Sequence, residues 1–427
     1  MGAVTPLGLD VASSWKRLEN GGSGIVPTSE SPLSQYDDYE KIGAKVVGAV
    51  PDFMLPAQFK EKSIKVDQNY MHRSALLGTR AVYEALSQAG LLNEDLVIDP
   101  DKVDPYTIGL YMGTTFAGMA HSVQAMLKDR LSPSDLFKTL PARVATSQAM
   151  QFGAKNLSPM IGWECASGAV ATDIGARSLL RYRDDMPPVA NVVVAGGTDG
   201  PLEPANLAYF EALKTAVSPS TDPITASRPF DKAANGLVMG EGAAALVLET
   251  LAHAKWRGIN ESDIQAELVG YASLTDAQSK TRAGIEGAAH AMAQVAYMGR
   301  LTVGETIYIN AHATSTSDGD PIEANIIQQF VTEAGQNRNN TYVTSTKGAT
   351  GHTMGAAGAI EAVFSIKALQ TSTIPPALNL ENPIEETQGL ELSPGRTTPL
   401  ASLDMAISNS LGFGGGVTTL AFRKFQP

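Results

Sequence analysis

The sequence predicts an α/β fold made of two successive, similar halves, residues 1–251 and 252–427. Three observations predict it. Apolar runs bounded by glycine recur, as in Asn191-Val-Val-Val-Ala-Gly-Gly197, the pattern of strands in a sheet covered on both faces. These runs alternate with stretches of helical period, and the alternation starts afresh beyond residue 251. No low-complexity segment or long flexible linker separates the two parts, so they are expected to pack as one body.

A chain of 427 residues, 43% hydrophobic and 18% charged, has the balance of a globular protein with a sizeable core. Its net charge of -12 argues against nucleic acid or a membrane surface as partner. The single cysteine rules out an intrachain disulfide and fits a reducing compartment. A cytoplasmic location is expected, with the mitochondrial matrix as the alternative. No apolar run reaches membrane-spanning length. The start, Met1-Gly-Ala-Val-Thr-Pro-Leu-Gly8, has neither the charged n-region nor the h-region of a signal peptide.

Taken in order, residues 1–60 read as loop-rich, with a short helix over 12–18. Lys60-Glu-Lys-Ser-Ile-Lys65 is a basic cluster on an acidic protein: a solvated face by default, a docking patch as the alternative. Helical spacing of Ala75, Leu76, Ala81, Val82, Ala85 and Leu86 predicts a helix over 71–90, with Gly90 at its C-terminal cap. A buried strand over 107–112 empties into Gly113-Thr-Thr-Phe-Ala-Gly118, a common place for a binding site in layered α/β proteins.

Next comes Cys165, where a short apolar run gives way to a helix of small residues, among them Ala166, Gly168, Ala169, Ala171, Gly175 and Ala176. So few large side chains let other backbones approach closely, which predicts a buried central position. A helix N-terminus favours thiolate over thiol, so Cys165 is a candidate nucleophile. A lone cysteine is also a common small core residue. Strands at 191–197 and ending near 249, a helix over 251–257, a strand over 266–271, a helix over 285–298 and a strand over 306–310 complete the alternation.

Two glycine-rich loops in the second half carry histidines. His312 lies in Ala311-His-Ala-Thr-Ser-Thr316, and Asp320, Pro321 and Glu323 just beyond it spell a capped helix start. The acids at 318, 320 and 323 are accordingly read as turn and capping residues. Lys347-Gly-Ala-Thr-Gly-His352 holds the second histidine and runs into a helix containing Glu361. Such histidines can be zinc ligands, acid/base groups or structural hydrogen-bonders. A zinc site needs three or four ligands at close spacing, and the cysteine is remote in sequence, so no metal is expected. Near the end, Asn409-Ser-Leu-Gly-Phe-Gly-Gly-Gly416 can offer bare N–H groups to an oxyanion, or serve as a turn between two strands.

The order of these motifs resembles that of β-ketoacyl-[acyl-carrier-protein] synthases of the elongating Cys-His-His type. The resemblance runs from the first residues through Arg228-Pro-Phe-Asp231 to the C-terminus. It implies a thiolase-like five-layer αβαβα architecture, usually as a homodimer. It also implies decarboxylative Claisen condensation: Cys165 takes an acyl chain from the phosphopantetheine of acyl carrier protein, and a malonyl unit loses carbon dioxide and attacks it. By the same resemblance His312 and His352 stabilise the enolate, and Lys347 with Glu361 orients them. The N–H groups of Cys165 and Phe413 form the oxyanion hole, and Thr314 and Thr316 bind the pantetheine arm. Phe413 and Leu411 border the acyl pocket, and Lys60, Lys62 and Lys65 lie where relatives dock the carrier. No bound cofactor is implied. Relatives also have a first strand ahead of the point where this chain starts.

Five positions depart from the family pattern: Trp163-Glu164 before the nucleophile in place of Thr-Ala, Ala313 for glycine, Leu411 for phenylalanine, and Phe116 for a small or aliphatic residue. Glu164 is expected to face away from the sulfur, because an inward acid would oppose ionisation. The benzyl group of Phe116 is expected to shorten the acyl pocket and favour short or branched chains, or else to call for a partner subunit that supplies the tunnel. The competing readings are a polyketide ketosynthase paired with a chain-length factor and, from another class, a non-catalytic assembly subunit.

Overall fold

The structure is a computed structural model describing residues 1–426, apart from 38, 52, 56–58, 60–67, 127–130, 181–187, 214–216 and 278–283. Lys60, Lys62 and Lys65 lie outside the described residues.

Two main sheets carry the fold. The first is formed by β1 (Gly2–Val4), β2 (Ile108–Gly113), β3 (Met160–Ile161), β4 (Val192–Asp199) and β5 (Gly242–Glu249). The second is formed by β6 (Glu267–Thr275), β7 (Ile307–Asn310), β8 (Thr341–Thr344), β9 (Glu391–Leu392), β10 (Met405–Leu411) and β11 (Gly416–Arg423). Across the first sheet the order is β3-β2-β4-β5-β1, and across the second β8-β7-β10-β11-β6, with β9 added beyond β8. In both, the first three strands run parallel and the next two pairings are antiparallel. The two halves therefore repeat one strand order and one set of directions. Loops at matching places, after β2 and β7, carry Phe116 and His312.

The helices fill three layers. Arg73–Gln88 covers the outer face of the first sheet, and Ile285–Met298, with Gly319–Glu333 against it, covers the second. Between the sheets lie Ser167–Ser178 and Ala357–Thr371. This is the five-layer α/β architecture. The central helices touch backbone to backbone: a Cβ added at Gly168 would come within 2.8 Å of the Gly355 carbonyl, and one at Gly358 within 3.0 Å of the Ala169 nitrogen. The small-residue composition after Cys165 thus meets the packing it predicts.

Most predicted elements appear within one to four residues of their expected ends, and Ile285–Met298 appears as expected. The start of Gly319–Glu333 differs. Asp318 stands at its N-cap without a side-chain cap bond, and the two acids expected to cap are buried elsewhere. Asp320 accepts from the Thr314 (3.0 Å), Thr316 (3.2 Å) and Phe230 (2.8 Å) N–H groups. Glu323 accepts from the His312 N–H and Asn409 Nδ2, both at 2.8 Å. The physical reason is desolvation: a loop buried between layers leaves N–H donors that only side chains can satisfy.

Candidate active site

The strand ends deliver the sequence candidates to one place. Cys165 precedes the N-cap Ala166 of the first central helix, and the turn before it is held by the Trp163 N–H donating to Ser167 Oγ (2.8 Å). Glu164 adopts φ +47°, a left-handed conformation, and is exposed, yet its charge still opposes ionisation of Cys165. His312 follows β7, fixed by its N–H bond to Glu323. His352 follows the short helix Lys347–Thr350, its N–H donating to the Val238 carbonyl (2.7 Å) and its carbonyl accepting from Gly240 N–H (2.8 Å).

Cys165 Sγ and one nitrogen from each of His312 and His352 lie within 4.8 Å of one another, all buried. The imidazoles meet edge to face, with centroids 5.2 Å apart at 89°. Lys347 Nζ donates to Glu361 Oε1, and both residues are at most 2% exposed. Sequence remoteness was the ground for setting zinc aside, and folding removes that ground, because three donors meet. The Lys347 ammonium acts on all three, however, and opposes a second positive charge there.

A cavity of about 340 Å³ opens over the cluster, lined by Cys165, His312, His352, Thr314, Thr316, Leu411 and Phe413 among others. The hydroxyls of Thr314 and Thr316 are 3.1 Å apart on its wall. Phe413 is 38% exposed at its edge. Phe116 does not line this cavity; it packs in the apolar cluster that contains Cys165, edge-on to Phe210 with centroids 5.9 Å apart. Phe210 stacks in turn on Phe413 at 6.0 Å.

Residues 1–254 match the family model "Beta-ketoacyl synthase, N-terminal domain", and residues 265–381 match "Beta-ketoacyl synthase, C-terminal domain". The chain belongs to the β-ketoacyl synthase family. It is 33% identical to a 3-oxoacyl-[acyl-carrier-protein] synthase 2 of Synechocystis, covering 100% of this chain and 97% of that one. It is 34% identical to a putative mitochondrial 3-oxoacyl-[acyl-carrier-protein] synthase of Schizosaccharomyces pombe, covering 100% and 98%. Among solved structures, a β-ketoacyl synthase from Burkholderia phymatum superposes with a TM-score of 0.84 at 27% identity, covering 100% and 98%. A type II polyketide ketosynthase in complex with its acyl-carrier protein superposes at 0.82 with 26% identity, covering 99% and 98%.

Electrostatics sets the protonation states of this synthase's cluster. Burial, then Lys347, holds both imidazoles well below the usual histidine range, so both are neutral. Their Nδ1 atoms are buried without a partner. A proton there would lack an acceptor, so the favoured tautomer keeps it on Nε2. Burial pushes the Cys165 thiol up to about 12 from 9.0, Lys347 countering and Glu164, Asp199 and Glu361 adding to the rise. That rise is worth roughly 4 kcal/mol, against at most ~2 kcal/mol from a helix terminus. Burial wins. The resting group is a thiol beside neutral imidazoles, and the pull of the helix terminus toward thiolate is outweighed.

Glu323 gives a pH-dependent prediction. Burial pushes its carboxyl from 4.5 up to about 7, and Oε2 has no partner. The folded state thus holds its proton to higher pH than the unfolded chain, and this contribution to stability is lost as pH rises from about 4.5 to about 7. Glu323→Gln keeps an oxygen for both donors and removes the titration. Its stability relative to wild type should be near zero at pH 4.5 and should rise to on the order of 3 kcal/mol at pH 8, in urea melts across that range. A pH-independent difference would contradict the assignment.

Sequence reasoning missed Phe210 and Leu237 on the cavity wall and the pinning roles of Asp320 and Glu323. An acid placed four to eleven residues from a buried loop was the available signal, but helix caps share it.

Proposed function

We propose that this chain catalyses the decarboxylative Claisen condensation of fatty-acid elongation. An acyl group held on Cys165 joins a malonyl unit on acyl carrier protein and gives 3-oxoacyl-acyl-carrier protein. The observation that carries this reading is the buried meeting of Cys165, His312 and His352 beside the Lys347–Glu361 pair. Full-length similarity to enzymes of that name supports it.

In the first step the Cys165 sulfur adds to the carrier thioester carbonyl. Its proton passes through a neutral imidazole to the departing pantetheine sulfur. The Cys165 and Phe413 N–H groups receive the developing oxyanion. In the second step the malonyl thioester loses carbon dioxide. The electron pair left behind is held as an enolate whose oxygen accepts from Nε2–H of His312 and His352. The enolate carbon then attacks the Cys165 thioester and expels the sulfur as thiolate, which takes up a proton from solvent. Lys347, paired with Glu361, keeps positive charge near the reacting oxygens. Thr314 and Thr316 hold the pantetheine arm, and Leu411, Phe413 and Phe116 bound the acyl chain. A short or branched chain is favoured, because Phe116 fills space behind the sulfur.

Acyl carrier protein is the partner, with Lys60, Lys62 and Lys65 as the docking patch. The halves divide at 1–251 and 252–427, a reading supported by the repeated strand order. Homodimerisation is supported by the open sheet edge at Met160–Ile161 and by Ile174, an apolar residue 39% exposed on a central helix. The cytoplasm is one location and the mitochondrial matrix the other, the latter in line with the mitochondrial relative from Schizosaccharomyces pombe; among the described residues no helix is long and apolar enough to cross a membrane. A polyketide ketosynthase working with a chain-length factor is the second reading, favoured by the structural likeness to a polyketide enzyme.

Intact-protein mass spectrometry with a series of acyl carrier proteins tests the proposal. Wild type should gain one acyl mass, and Cys165→Ala none. Acylation that persists in Cys165→Ala would overturn the assignment. No acylation of wild type by any carrier would turn the reading toward the paired ketosynthase.

A further inference from the structure

One fully buried acid is assigned no step in the chemistry above. Asp199 is the last residue of β4. Its Oδ2 accepts from the Thr115 N–H (2.8 Å) and the Gly355 N–H (2.9 Å), and its Oδ1 from Thr114 Oγ1 (3.1 Å) and the Phe116 N–H (3.3 Å). Thr115 gives its own hydroxyl to the carbonyl of Glu164 (2.8 Å), the residue before the nucleophile. Gly355 lies three residues beyond His352, and a Cβ there would come within 2.5 Å of the Thr115 nitrogen. Three segments are thereby tied at one point: the Phe116 loop, the turn that presents Cys165, and the loop that presents His352.

Each segment also holds a non-glycine residue in the left-handed region: Ala117 at φ +43°, Glu164 at +47° and Met354 at +52°. Such conformations persist only where surrounding bonds over-determine them. The second half repeats the device. Asp320 pins the loop after β7 through the Thr314 and Thr316 N–H groups, as Asp199 pins the loop after β2 through those of Thr115 and Phe116.

We propose that Asp199 is a positioning residue that fixes the Phe116 side of the acyl pocket relative to Cys165 and His352, and so sets the longest acyl chain the enzyme accepts. It acts through backbone donors and touches no substrate. The inference rests on the acyl-transfer reading above. Loosening the four bonds lets the Phe116 ring move off Phe210, and the apolar cluster behind the sulfur opens.

The test loads full-length protein with carriers bearing acyl chains of four to sixteen carbons and reads Cys165 by intact mass. Iodoacetamide alkylation of Cys165 and thermal melting run beside it. Asp199→Asn turns an amide N–H₂ toward one pair of donors: the Thr114 hydroxyl can turn to accept from it, but a backbone N–H facing it, such as that of Phe116, loses its acceptor. It should still load short chains, about tenfold more slowly, while its cut-off moves to longer chains, as in Phe116→Ala. Thr114→Val removes one donor to Asp199 and the acceptor of the Ala117 N–H, leaves the three backbone bonds to Asp199, and is the milder arm should Asp199→Asn fail to fold. It should shift the cut-off in the same direction with a smaller loss of rate. A wild-type cut-off in folded variants, or a loss equal at every chain length and in step with melting temperature, would overturn the proposal. If wild type takes no acyl group at all, the elongation reading by this chain alone fails instead. Alkylation then still reports whether Asp199 positions the sulfur: a rate in the variants equal to wild type overturns that too.

Discussion

Lys347→Ala is expected to destabilise the fold by about 3–5 kcal/mol, because it strands a carboxylate whose partner among the described residues is the Lys347 ammonium. Glu361 lies inside a central helix almost wholly buried, and its Oε2 has no partner. Burial already raises its carboxyl above the ordinary range while Lys347 lowers it. Without the ammonium the carboxyl must hold a proton or bear an uncompensated charge, so the loss should be greatest at high pH and shrink as pH falls. Replacing both partners by apolar side chains, Lys347→Met with Glu361→Leu, should recover most of the stability, since buried pairs rarely outweigh their desolvation cost. That double variant should be folded and inactive. Urea melts at pH 5 and pH 8, with malonyl decarboxylation measured alongside, separate the two roles. A double variant as unstable as the single one would show that the ion pair is retained for the fold and not for chemistry.

How much of this was legible in the sequence depends on whether a residue's task is local. Strand–glycine–helix boundaries are local, so the elements around Cys165, His312 and His352 could be placed before their geometry was known. The close passage of the two central helices was also legible, because only small residues permit it and Gly168 and Gly358 are where it occurs. Tasks set by burial were not. Asp320 and Glu323 carry the signature of a capped helix start, yet a buried loop draws both away as acceptors. The protonation state of Cys165 turns on desolvation, which no spacing reveals. Asp199 reads as an ordinary acid at a strand end, and only the fold brings Gly355 to it across 156 positions of sequence. Phe116 shows the same limit from the other side. Its size marks it as a candidate constraint on the acyl pocket, but it packs edge-on to Phe210 and not on the cavity wall.

His312→Ala and His352→Ala should each slow carbon dioxide release from malonyl carriers by about 10²–10³-fold, the usual cost of removing one donor from an oxyanion site. The two rings meet at 5.2 Å and face the same cavity, so both Nε2–H groups can converge on one oxygen. Donors acting on one charge behave as a unit, and the double variant should lose little more than either single one. Cys165 should still gain an acyl mass in both single variants, more slowly, because its proton has a second imidazole within reach. The pH profile discriminates further. Burial and Lys347 hold both imidazoles neutral well below the ordinary histidine range. Decarboxylation by wild type should therefore stay flat from pH 8 down past pH 6.5, with no inflection at an ordinary histidine value. A rate that fell with a midpoint near 6.5 would mean that a histidine gains a proton in the working range. The neutral, donating pair could not then be the group that stabilises the enolate.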